Sequence, residues 1–543
     1  MRPDNSQHFF AQFPSKALKN EWMAEKLAGM VKLPKRSFPN PIFIRSERDV
    51  CAGYAVIYDG TITEGELLFI CRRRAWKELI NRSADLVVVY VDCRERKVYV
   101  VTGQMGGFPC FYSLADDCVT ISTSFSRINA CLSARHLLLE NVVEVLLWHS
   151  GSYPCDQTIV EEVKQLPPAT LLTIDSGWKT QTQPLISWEE TVEPVVPFSS
   201  ALGFVDELVA TATGVVAGYL KAAKNLKIGS QLSSGFDSSL VCYLVNRFID
   251  GKAVYFTEHS PLLVQDTNTE IVAKFCQRHG IMTQLVEISD LYQFSSAKNG
   301  LKVESRGDYV TDYGFERHWG LNTRMSNDYG IDAVFSGEGG DELMGSHLSE
   351  WKKFPIQMGY FLEVNTYMNY GVDKVLAPKA IRIFNNRKRW AKKRVYPSFI
   401  SPSALAIGQQ YFPLYWETGV WHMMPLADPR MVKVAARMPK ELWKGTRKQN
   451  VWSLRPDIFI PEQFVPKGYA QSWWERFLRE RKDLLVGILK KSVLGEMGLI
   501  RSGELVRLLE AERFEEISLL AVVQLAIQLE IFLQKYKFTM VEE

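Results

Sequence analysis

The feature that most constrains the fold of this chain is a short strand pattern that runs directly into a serine-rich turn and then into a helix. The apolar segment Leu226–Leu232 predicts the strand, and the helix is predicted from about Ser238 to Phe248. Similar patterns flank this unit: a helix at Ala201–Ala223, a strand at Ala253–Thr257, a helix at about Thr269–His279, a strand at Met282–Ile288 and a strand at Asp332–Phe335. This alternation predicts an α/β fold with a parallel, doubly wound sheet, in which ligands bind at the carboxyl ends of the strands.

The amino-terminal half shows a different pattern, in which short polar turns separate β-branched segments. Strands are predicted at Ala84–Tyr90, Lys97–Thr102 and Val119–Thr123, and their spacing predicts hairpins in an antiparallel, partly sandwiched architecture. The composition shifts to Pro, Glu and Ser at Glu189–Ser200, which is typical of a linker. We therefore predict two domains, at residues 1–190 and 200–543, with a mostly helical region beyond about residue 345.

Composition and charge argue against several classes of protein. The 543 residues carry a formal net charge of +3, whereas nucleic-acid-binding domains are usually strongly basic. The nine cysteines form no CxxC pair and no zinc-type spacing, which favours reduced thiols in the cytoplasm. The first ten residues lack the apolar core of a signal peptide, and polar residues interrupt the apolar stretch Ile517–Leu533. That stretch predicts a buried helix, and we expect a cytoplasmic protein with no nucleic-acid and no membrane partner.

The serine loop, Ser233–Ser239, joins the predicted strand to the predicted helix. A helix N-terminus offers unpaired N–H groups and the positive end of the helix dipole, so this loop is suited to bind phosphate. Gly235 lets the backbone approach a phosphate closely, and Asp237 can hold Mg2+ against it. No GxxxxGK[ST] sequence occurs, so this is not a Walker A loop, and an ordinary helix cap is the alternative. The predicted ATP and pyrophosphate ligands here are Ser233, Ser234, Gly235, Asp237, Ser238 and Ser239.

The acidic loop, Ser336–Gly345, follows the predicted strand Asp332–Phe335 and carries three acids among four glycines. Because the carboxyl ends of parallel strands meet at one edge of a sheet, both loops are expected to face the same crevice. Asp237 and Asp341 would then bracket one Mg2+ bound to the phosphates of ATP. A solvated turn is the alternative for this segment.

Together the two loops resemble the signatures of the asparagine synthetase family, Ser-Gly-Gly-x-Asp-Ser and Ser-Gly-Glu-Gly-x-Asp-Glu. Ser234 stands where the family has its first glycine. The serine loop also resembles the pyrophosphate-binding loop of the ATP-pyrophosphatase superfamily, whose members cleave ATP between the α and β phosphates. Weaker resemblance continues at Pro425–Arg430, Pro466–Tyr469 and Leu525–Leu533, whereas Arg447–Arg455 matches poorly. By this resemblance the adenosine contacts would be Leu232, Phe256, Ser336 and Gly337.

The resemblance implies a two-step reaction in an ATP-pyrophosphatase-type domain at residues 200–543. A carboxylate attacks the α-phosphate of ATP, which gives an acyl-adenylate and pyrophosphate, and an amine then displaces AMP. Lys467 is assigned to stabilise the developing negative charge, with a solvated surface lysine as the alternative. Glu338 is assigned as the base or amine-positioning residue, with a purely structural acid as the alternative. ATP and Mg2+ are the expected cosubstrate and metal.

The amino-terminal half resembles the Ntn-hydrolase-like glutaminase domain of the family but lacks its chemical groups. Gly106–Tyr112 is similar to the Gly-x-x-Pro-Leu-Tyr-Tyr segment, and Leu166–Ala169 is similar to Leu-Pro-Pro-Gly. Position 2 is Arg2 and not the nucleophilic cysteine, Asp59–Thr61 replaces Asn-Gly-Glu, and Thr102-Gly103 replaces Arg-Asp. We therefore expect an α+β domain at residues 1–190 that does not release ammonia from glutamine.

The nitrogen donor is then free ammonia or an amine on the substrate. Family members without the cysteine include β-lactam-forming synthetases and lasso-peptide cyclases, and Glu338 in place of a tyrosine favours the cyclases. The substrate would be a peptide precursor, with a leader-binding protein and a leader protease as partners. An ammonia-dependent asparagine synthetase acting on a small carboxylate, a β-lactam-type synthetase and a catalytically dead binding scaffold are the alternatives. Two features fit a peptide but also fit an ordinary surface and core: the basic run Arg387–Arg394 and the aromatic residues Tyr360, Phe361, Tyr367, Tyr370, Trp390, Trp473 and Trp474.

Overall fold

A computed structural model of the chain describes two unequal halves that share apolar cores. The described residues are 9–14, 28, 30–32, 41–58, 62–147, 157–186, 196–249, 252–259, 267–287, 315–344, 375–391, 412, 415–416, 418–443, 447–464, 478–479, 481–514, 521–535 and 539–540. The greater part of the predicted linker Glu189–Ser200 lies outside them.

The carboxyl-terminal half contains a five-stranded parallel sheet, which confirms the prediction of a parallel α/β sheet. Its strands, in spatial order, are Thr283–Glu287, Val254–His259, Ile228–Gln231, Ala333–Phe335 and Trp421–Met423. The chain winds outward from Ile228–Gln231 in one direction and then resumes on its other side at Ala333–Phe335. The strand order therefore reverses between these two neighbours, which is where doubly wound sheets bind ligands. The three-residue strand Trp421–Met423 was not predicted, because so short a segment has no periodicity to read.

The helices of this part of the chain are Ala201–Ala222, Phe236–Ile249, Thr267–His279, Phe315–Asn327 and Gly340–Met344. The helix predicted from about Ser238 begins at Phe236, so Asp237 lies in its first turn. Ser200 caps the first helix by accepting a hydrogen bond from the Gly203 N–H at 3.1 Å. That helix has the length and apolar composition of a membrane span. Here its apolar face, from Phe204 to Tyr219, is buried inside the protein, as in a core helix.

The amino-terminal half contains two antiparallel sheets. The first has the strand order Lys164–Gln165, Phe111–Ala115, Cys118–Ser122, Phe10–Pro14 and Val31–Lys32, and the second has the order Thr180–Pro184, Thr170–Asp175, Lys97–Thr102, Ser83–Asp92, Asp49–Ile57 and Pro41–Arg45. The helices of this half are Glu64–Arg72, Trp76–Arg82, Phe125–Cys131 and Leu139–Leu147. Side chains of both sheets belong to one buried cluster. All three strands predicted in this half are present: Lys97–Thr102 has the predicted bounds, and the bounds of the other two differ by one or two residues.

Apolar contacts join the two halves at two places. At one, Trp416 packs edge-on against Tyr54 and Phe108, with ring centroids 5.1 and 5.6 Å apart. At the other, Phe532 packs against Phe125 at 5.6 Å, and the short strand Thr539–Met540 pairs with His136–Leu137. The carboxyl-terminal segment thus returns to the amino-terminal half, which the sequence did not reveal.

The region beyond residue 345 is mostly helical wherever it is described. Its α-helices are Pro378–Ala391, Pro429–Ala435, Arg447–Trp452, Lys482–Leu489, Val493–Glu496, Ser502–Glu510 and Ala521–Lys535, and its 3-10 turns are Pro425–Ala427, Lys440–Trp443 and Pro461–Phe464. The last α-helix confirms the buried helix predicted within Ile517–Leu533. Its one buried acid, Glu530, accepts hydrogen bonds from the Ser492 hydroxyl at 2.9 Å and the Leu494 N–H at 3.1 Å. These bonds offset the cost of burying a carboxylate in an apolar helix face.

Candidate active site

The serine loop is held in shape by its own hydroxyl groups. The Ser233 N–H donates to the Ser238 hydroxyl at 3.0 Å, and the two hydroxyls lie 2.8 Å apart. The Gly235 N–H donates to the Ser233 hydroxyl at 3.1 Å. The loop follows strand Ile228–Gln231 and opens a helix of 14 residues. Its backbone therefore presents a helix N-terminus to the crevice at the strand ends, which is a suitable place for an anion.

The acidic loop packs directly on the serine loop. A Cβ atom added at Gly337 would lie 2.5 Å from the Ser238 nitrogen, and one at Gly340 would lie 2.6 Å from Oδ1 of Asp237. At either position a side chain would force its neighbour to shift, and at Gly340 the neighbour that shifts is the carboxylate of Asp237. The two glycines are thus required for the close approach of the loops. The described part of the acidic loop ends at Met344.

Asp237 and Asp341 both form ion pairs with the ammonium group of Lys448. Its Nζ atom donates to Oδ2 of Asp237 and to Oδ1 of Asp341. The Asp237 side chain is 14% exposed and that of Asp341 is 86% exposed, so one acid is enclosed and the other faces solvent. Burial disfavours the charged ammonium, but attraction to the two carboxylates outweighs it and raises the pKa of Lys448. Lys448 is therefore a permanent cation at neutral pH.

This arrangement suits a divalent cation. Two carboxylates from neighbouring strand ends converge on one cation position, and hard carboxylate oxygens are the ligands that Mg2+ prefers. The residues of this chain that would hold the metal are Asp237 and Asp341, the pair chosen from sequence. Lys448, in the helix Arg447–Trp452, was missed because it lies in the stretch whose resemblance to the family is poor.

The residues assigned to adenosine flank the reversal point of the sheet. Leu232 and Phe256 are buried, and the Leu232 N–H donates to the Phe256 carbonyl at 2.7 Å. The Ser336 hydroxyl lies 2.8 Å from Nε2 of His422. Burial lowers the pKa of His422 to about 3, so its ring is neutral at physiological pH.

The ring of His422 is itself held by a stacked aromatic neighbour. It stacks on Tyr415, with centroids 4.2 Å apart, and the Tyr415 hydroxyl accepts from Nε2 of Gln231 at 2.8 Å. A network through these two rings thus connects Gln231, at the end of one strand, to Ser336 at the end of its neighbour. No local sequence pattern indicates this network, since its members lie in separate segments.

The two residues assigned to catalysis have different outcomes. Glu338 is partly buried within the acidic loop, where its N–H donates to the Ser336 hydroxyl at 3.4 Å. Lys467 lies outside the described residues, as do Asp59–Thr61 and Arg2. Of the aromatic residues and basic run proposed to contact a peptide, the structure describes only that Trp390 and the first basic residues lie in helix Pro378–Ala391. Their roles stay predictions.

Gln463, which was not predicted as part of the site, fixes the serine loop by two hydrogen bonds. Its side chain is buried and donates to the Ser239 hydroxyl at 2.8 Å and to the Ser234 carbonyl at 3.3 Å. Its own carbonyl oxygen accepts from the Ile460 N–H at 3.1 Å. The loop that would bind phosphate is thus fixed by a residue from a distant 3-10 turn, Pro461–Phe464.

In the amino-terminal half, the space near Thr102-Gly103 is filled by the buried carboxyl group of Asp85. This group accepts hydrogen bonds from the N–H groups of Leu86 at 2.9 Å and Phe108 at 3.0 Å. A Cβ atom at Gly107 would lie 2.6 Å from Oδ2 of Asp85. Burial raises the pKa of Asp85 to about 7 against the lowering effect of these hydrogen bonds.

Two buried cysteines of this half, Cys51 and Cys110, are poor nucleophiles. A hydrogen bond with Cys71 and burial raise the pKa of Cys51, and burial raises the pKa of Cys110 to about 12. Both stay thiols at neutral pH.

Comparison with known families supports the assignment from the two loops. A family model described as asparagine synthase matches residues 220–405, a span that includes both loops. This match supports an asparagine synthetase-like family and indicates an ATP-dependent, AMP-forming ligase. A search of curated proteins finds no match.

Several solved structures share a distant likeness with the chain. The U34-tRNA thiolase of Methanococcus maripaludis is 14% identical, with 57% of this chain and 79% of that chain covered and a TM-score of 0.25. The NH3-dependent NAD synthetase of Campylobacter jejuni is 16% identical, with 36% and 98% covered and a TM-score of 0.21. The glutamine phosphoribosylpyrophosphate amidotransferase of B. subtilis is 9% identical, with 57% and 69% covered and a TM-score of 0.18.

Proposed function

We propose that this chain is a lasso-peptide macrolactam cyclase, an ATP-dependent ligase that adenylates an Asp or Glu side chain and joins it to the amino terminus of the same peptide. The observation that carries the adenylating part of this proposal is the convergence of Asp237 and Asp341 on one cation position beside the serine loop. Residues 200–543 would form the synthetase domain. Residues 1–190 would form a degenerate glutaminase-like domain of the Ntn type.

In the proposed first step, a substrate carboxylate attacks the α-phosphate of ATP, and pyrophosphate leaves. The hydroxyls of the serine loop and the N-terminus of helix Phe236–Ile249 would bind the departing pyrophosphate. The ammonium group of Lys448 supplies a positive charge next to this position. Mg2+, when held by Asp237 and Asp341, would neutralise negative charge on the phosphate oxygens.

In the proposed second step, an amine attacks the acyl carbon, and AMP leaves. The amine must be neutral to attack, so a group nearby has to take its proton. Glu338, partly buried in the acidic loop, is proposed for this role. Lys467 is proposed to stabilise the negative charge on the tetrahedral centre.

The amino-terminal half favours an amine on the substrate over glutamine as the nitrogen donor. Cys51 and Cys110 are buried thiols with raised pKa values, and Asp85 fills the space beside Gly103 and Gly107. Joining two ends of one peptide gains from proximity, since well-oriented intramolecular reactions save about 7–11 kcal/mol of barrier. A leader-binding protein and a leader protease are the proposed partners, acting in the cytoplasm.

The test uses the full-length purified protein with ATP and Mg2+. Peptides with a free amino terminus and a single Asp or Glu at successive positions would be supplied, and aspartate with ammonium chloride would be supplied separately. We expect AMP and pyrophosphate only with a peptide, together with a product that has lost one water by mass spectrometry. D237N and D341N should each lower the rate by at least ~100-fold, or about 2.7 kcal/mol of barrier.

D206N is the matched control, because Asp206 is a 62% exposed acid on helix Ala201–Ala222 whose ion-pair partner, at 4.0 Å, is Arg455 and not Lys448. It should keep the wild-type rate. AMP formation with aspartate and ammonium, and none with any peptide, would instead identify an ammonia-dependent asparagine synthetase and contradict the cyclase. Equal rates for D237N, D341N and D206N would contradict adenylation at this site altogether.

A further inference from the structure

Tyr58 follows strand Asp49–Ile57 of the amino-terminal half and contacts the other half directly. Its backbone N–H donates to the Arg82 carbonyl at 3.0 Å, which fixes it to its own half. Its hydroxyl donates to Oδ2 of Asp428 at 2.5 Å. The guanidinium group of Arg430 lies over its ring, 3.8 Å from the centroid. Tyr58 therefore makes a charge-assisted hydrogen bond and a cation–π contact across the two halves.

Asp428, which accepts the hydrogen bond from Tyr58, is completely buried. It caps helix Pro429–Ala435 by accepting from the Arg430 N–H at 2.9 Å, and it forms an ion pair with Nε of Arg430 at 2.9 Å. Burial and the nearby charge of Asp428 raise the pKa of Tyr58 well above its usual range, so its hydroxyl keeps its proton and stays a donor. A buried carboxylate held from three directions has little freedom to move.

The backbone from Met423 to Ala427, which leads to Asp428, contacts the acidic loop at two points. The Ser336 N–H, at the start of that loop, donates to the Met423 carbonyl at 3.0 Å. Gly339 has a φ angle of +92°. A Cβ atom there would lie 2.6 Å from the nitrogen of Ala427 and 2.8 Å from its Cα atom. The turn of the acidic loop thus rests on the residue that immediately precedes Asp428.

We propose that Tyr58 is a positioning residue that, through Asp428 and Ala427, fixes the acidic loop so that Asp341 shares one cation site with Asp237. The inference rests on the proposed adenylating function. It gives the amino-terminal half a part in the chemistry that needs no nucleophile of its own. In this proposal the amino-terminal half fixes Asp428 through Tyr58, and the backbone next to Asp428 holds the acidic loop in place.

The experiment compares Y58F with Y99F in the full-length protein. Y58F removes only the hydroxyl and keeps the ring under Arg430. Y99F is the matched control, because the Tyr99 hydroxyl donates to the Glu95 carboxylate at 2.8 Å within the amino-terminal half. Two quantities would be measured: Mn2+ binding by electron paramagnetic resonance without nucleotide, and the Mg2+ concentration that half-saturates pyrophosphate–ATP exchange.

We expect Y58F to weaken Mn2+ binding and to raise the half-saturating Mg2+ concentration, each by about tenfold, the scale of one hydrogen bond to a charged group. Y99F should leave both quantities unchanged. Circular dichroism would show that both variants are folded, and D428N, which keeps a capping side chain, should repeat the Y58F effect. Mn2+ binding that is equal in wild type, Y58F and Y99F would overturn the proposal, as would a wild type that binds no Mn2+.

The two proposals can fail separately. If the wild-type protein binds Mn2+ but catalyses no pyrophosphate exchange with any substrate, the adenylating function is wrong. The Mn2+ titrations of Y58F and Y99F still decide whether Tyr58 positions the acidic loop.

Discussion

Lys448 occupies the cation position between Asp237 and Asp341, so its ammonium group and a divalent metal compete for the same oxygens. The informative change is K448M, which removes the charge and keeps a flexible apolar side chain of similar length. We expect K448M to bind Mn2+ more tightly than wild type when no nucleotide is present. K448R is the matched control, because it retains a positive charge at this position.

The size of the effect follows from how exposed each acid is. Asp341 is 86% exposed, so its ion pair with Lys448 contributes at most about 1 kcal/mol. Asp237 is only 14% exposed, and a hydrogen bond between charged groups contributes about 1.5–3 kcal/mol. After allowance for solvent at Asp341, a metal that displaces Lys448 loses about 2 kcal/mol of ion-pair free energy. Removing Lys448 should therefore raise the Mn2+ binding constant roughly 30-fold.

The assay is Mn2+ titration by electron paramagnetic resonance, supported by thermal unfolding with and without MgCl2. Without metal, K448M should unfold at a lower temperature than wild type, because the two carboxylates then face each other without a cation. MgCl2 should narrow that difference, since binding to the folded state stabilises it. Weaker Mn2+ binding by K448M than by wild type, or a difference in unfolding temperature that MgCl2 does not change, would refute the reasoning.

The pH for this experiment follows from the sign of the shift at Lys448. The pKa of Lys448 is raised in the folded protein above its ordinary value of 10.5. The stability that the ion pairs supply is therefore fully present below that value and is lost as the pH rises through the folded pKa. Near neutral pH the lysine is charged, so titration of Lys448 cannot account for a difference between wild type and K448M.

Three further predictions follow from contacts in the structure. G340A should abolish pyrophosphate exchange, because its Cβ atom would lie 2.6 Å from Oδ1 of Asp237 and displace that carboxylate. The control is G487A, at a helical glycine whose added Cβ atom would meet nothing within 4 Å. In exchange and unfolding assays G487A should remain active and gain about 0.5–1 kcal/mol of stability. Q463L removes two hydrogen bonds to the serine loop and should raise the KM for ATP about fivefold per lost bond with little change in kcat; an unchanged KM would contradict its supporting role. The pKa of Asp85 is raised to about 7 from 3.8, so the folded state binds this proton more tightly and wild-type stability should fall as the pH rises from 4 to 7; D85N should lack this slope in unfolding experiments, and equal slopes would contradict the assignment.

Local patterns in the sequence predicted the parts of the fold whose signals lie within one segment. The alternation of strands and helices from Ala201 to Phe335 predicted the parallel sheet, because each unit carries its own periodicity and turn residues. The placement of both loops at one edge followed from the rule that parallel strands end on the same side. For that reason Asp237 and Asp341 could be paired from the sequence alone.

The parts that could not be predicted depend on contacts between segments far apart in the chain. Lys448 lies 211 residues from Asp237, and Tyr58 lies 370 residues from Asp428. A single lysine or tyrosine side chain has no periodicity and no turn signature, so nothing local distinguishes these two from the others. The short strands Trp421–Met423 and Thr539–Met540 were missed for the same reason, since their pairing partners define them.

These long-range contacts share one consequence for how the site is built. The buried clusters that contain Phe108 with Trp416, and Phe125 with Phe532, each draw residues from both halves. Separating the halves would expose large aromatic surfaces that are now removed from water, at roughly 25 cal/mol per Å2 of apolar area. The cation site is formed by the serine loop, the acidic loop and helix Arg447–Trp452. The segment that contains Tyr58 contacts it only indirectly, through Asp428. The amino-terminal half therefore contributes residues to both apolar cores and, under the proposal for Tyr58, also holds the acidic loop through Asp428.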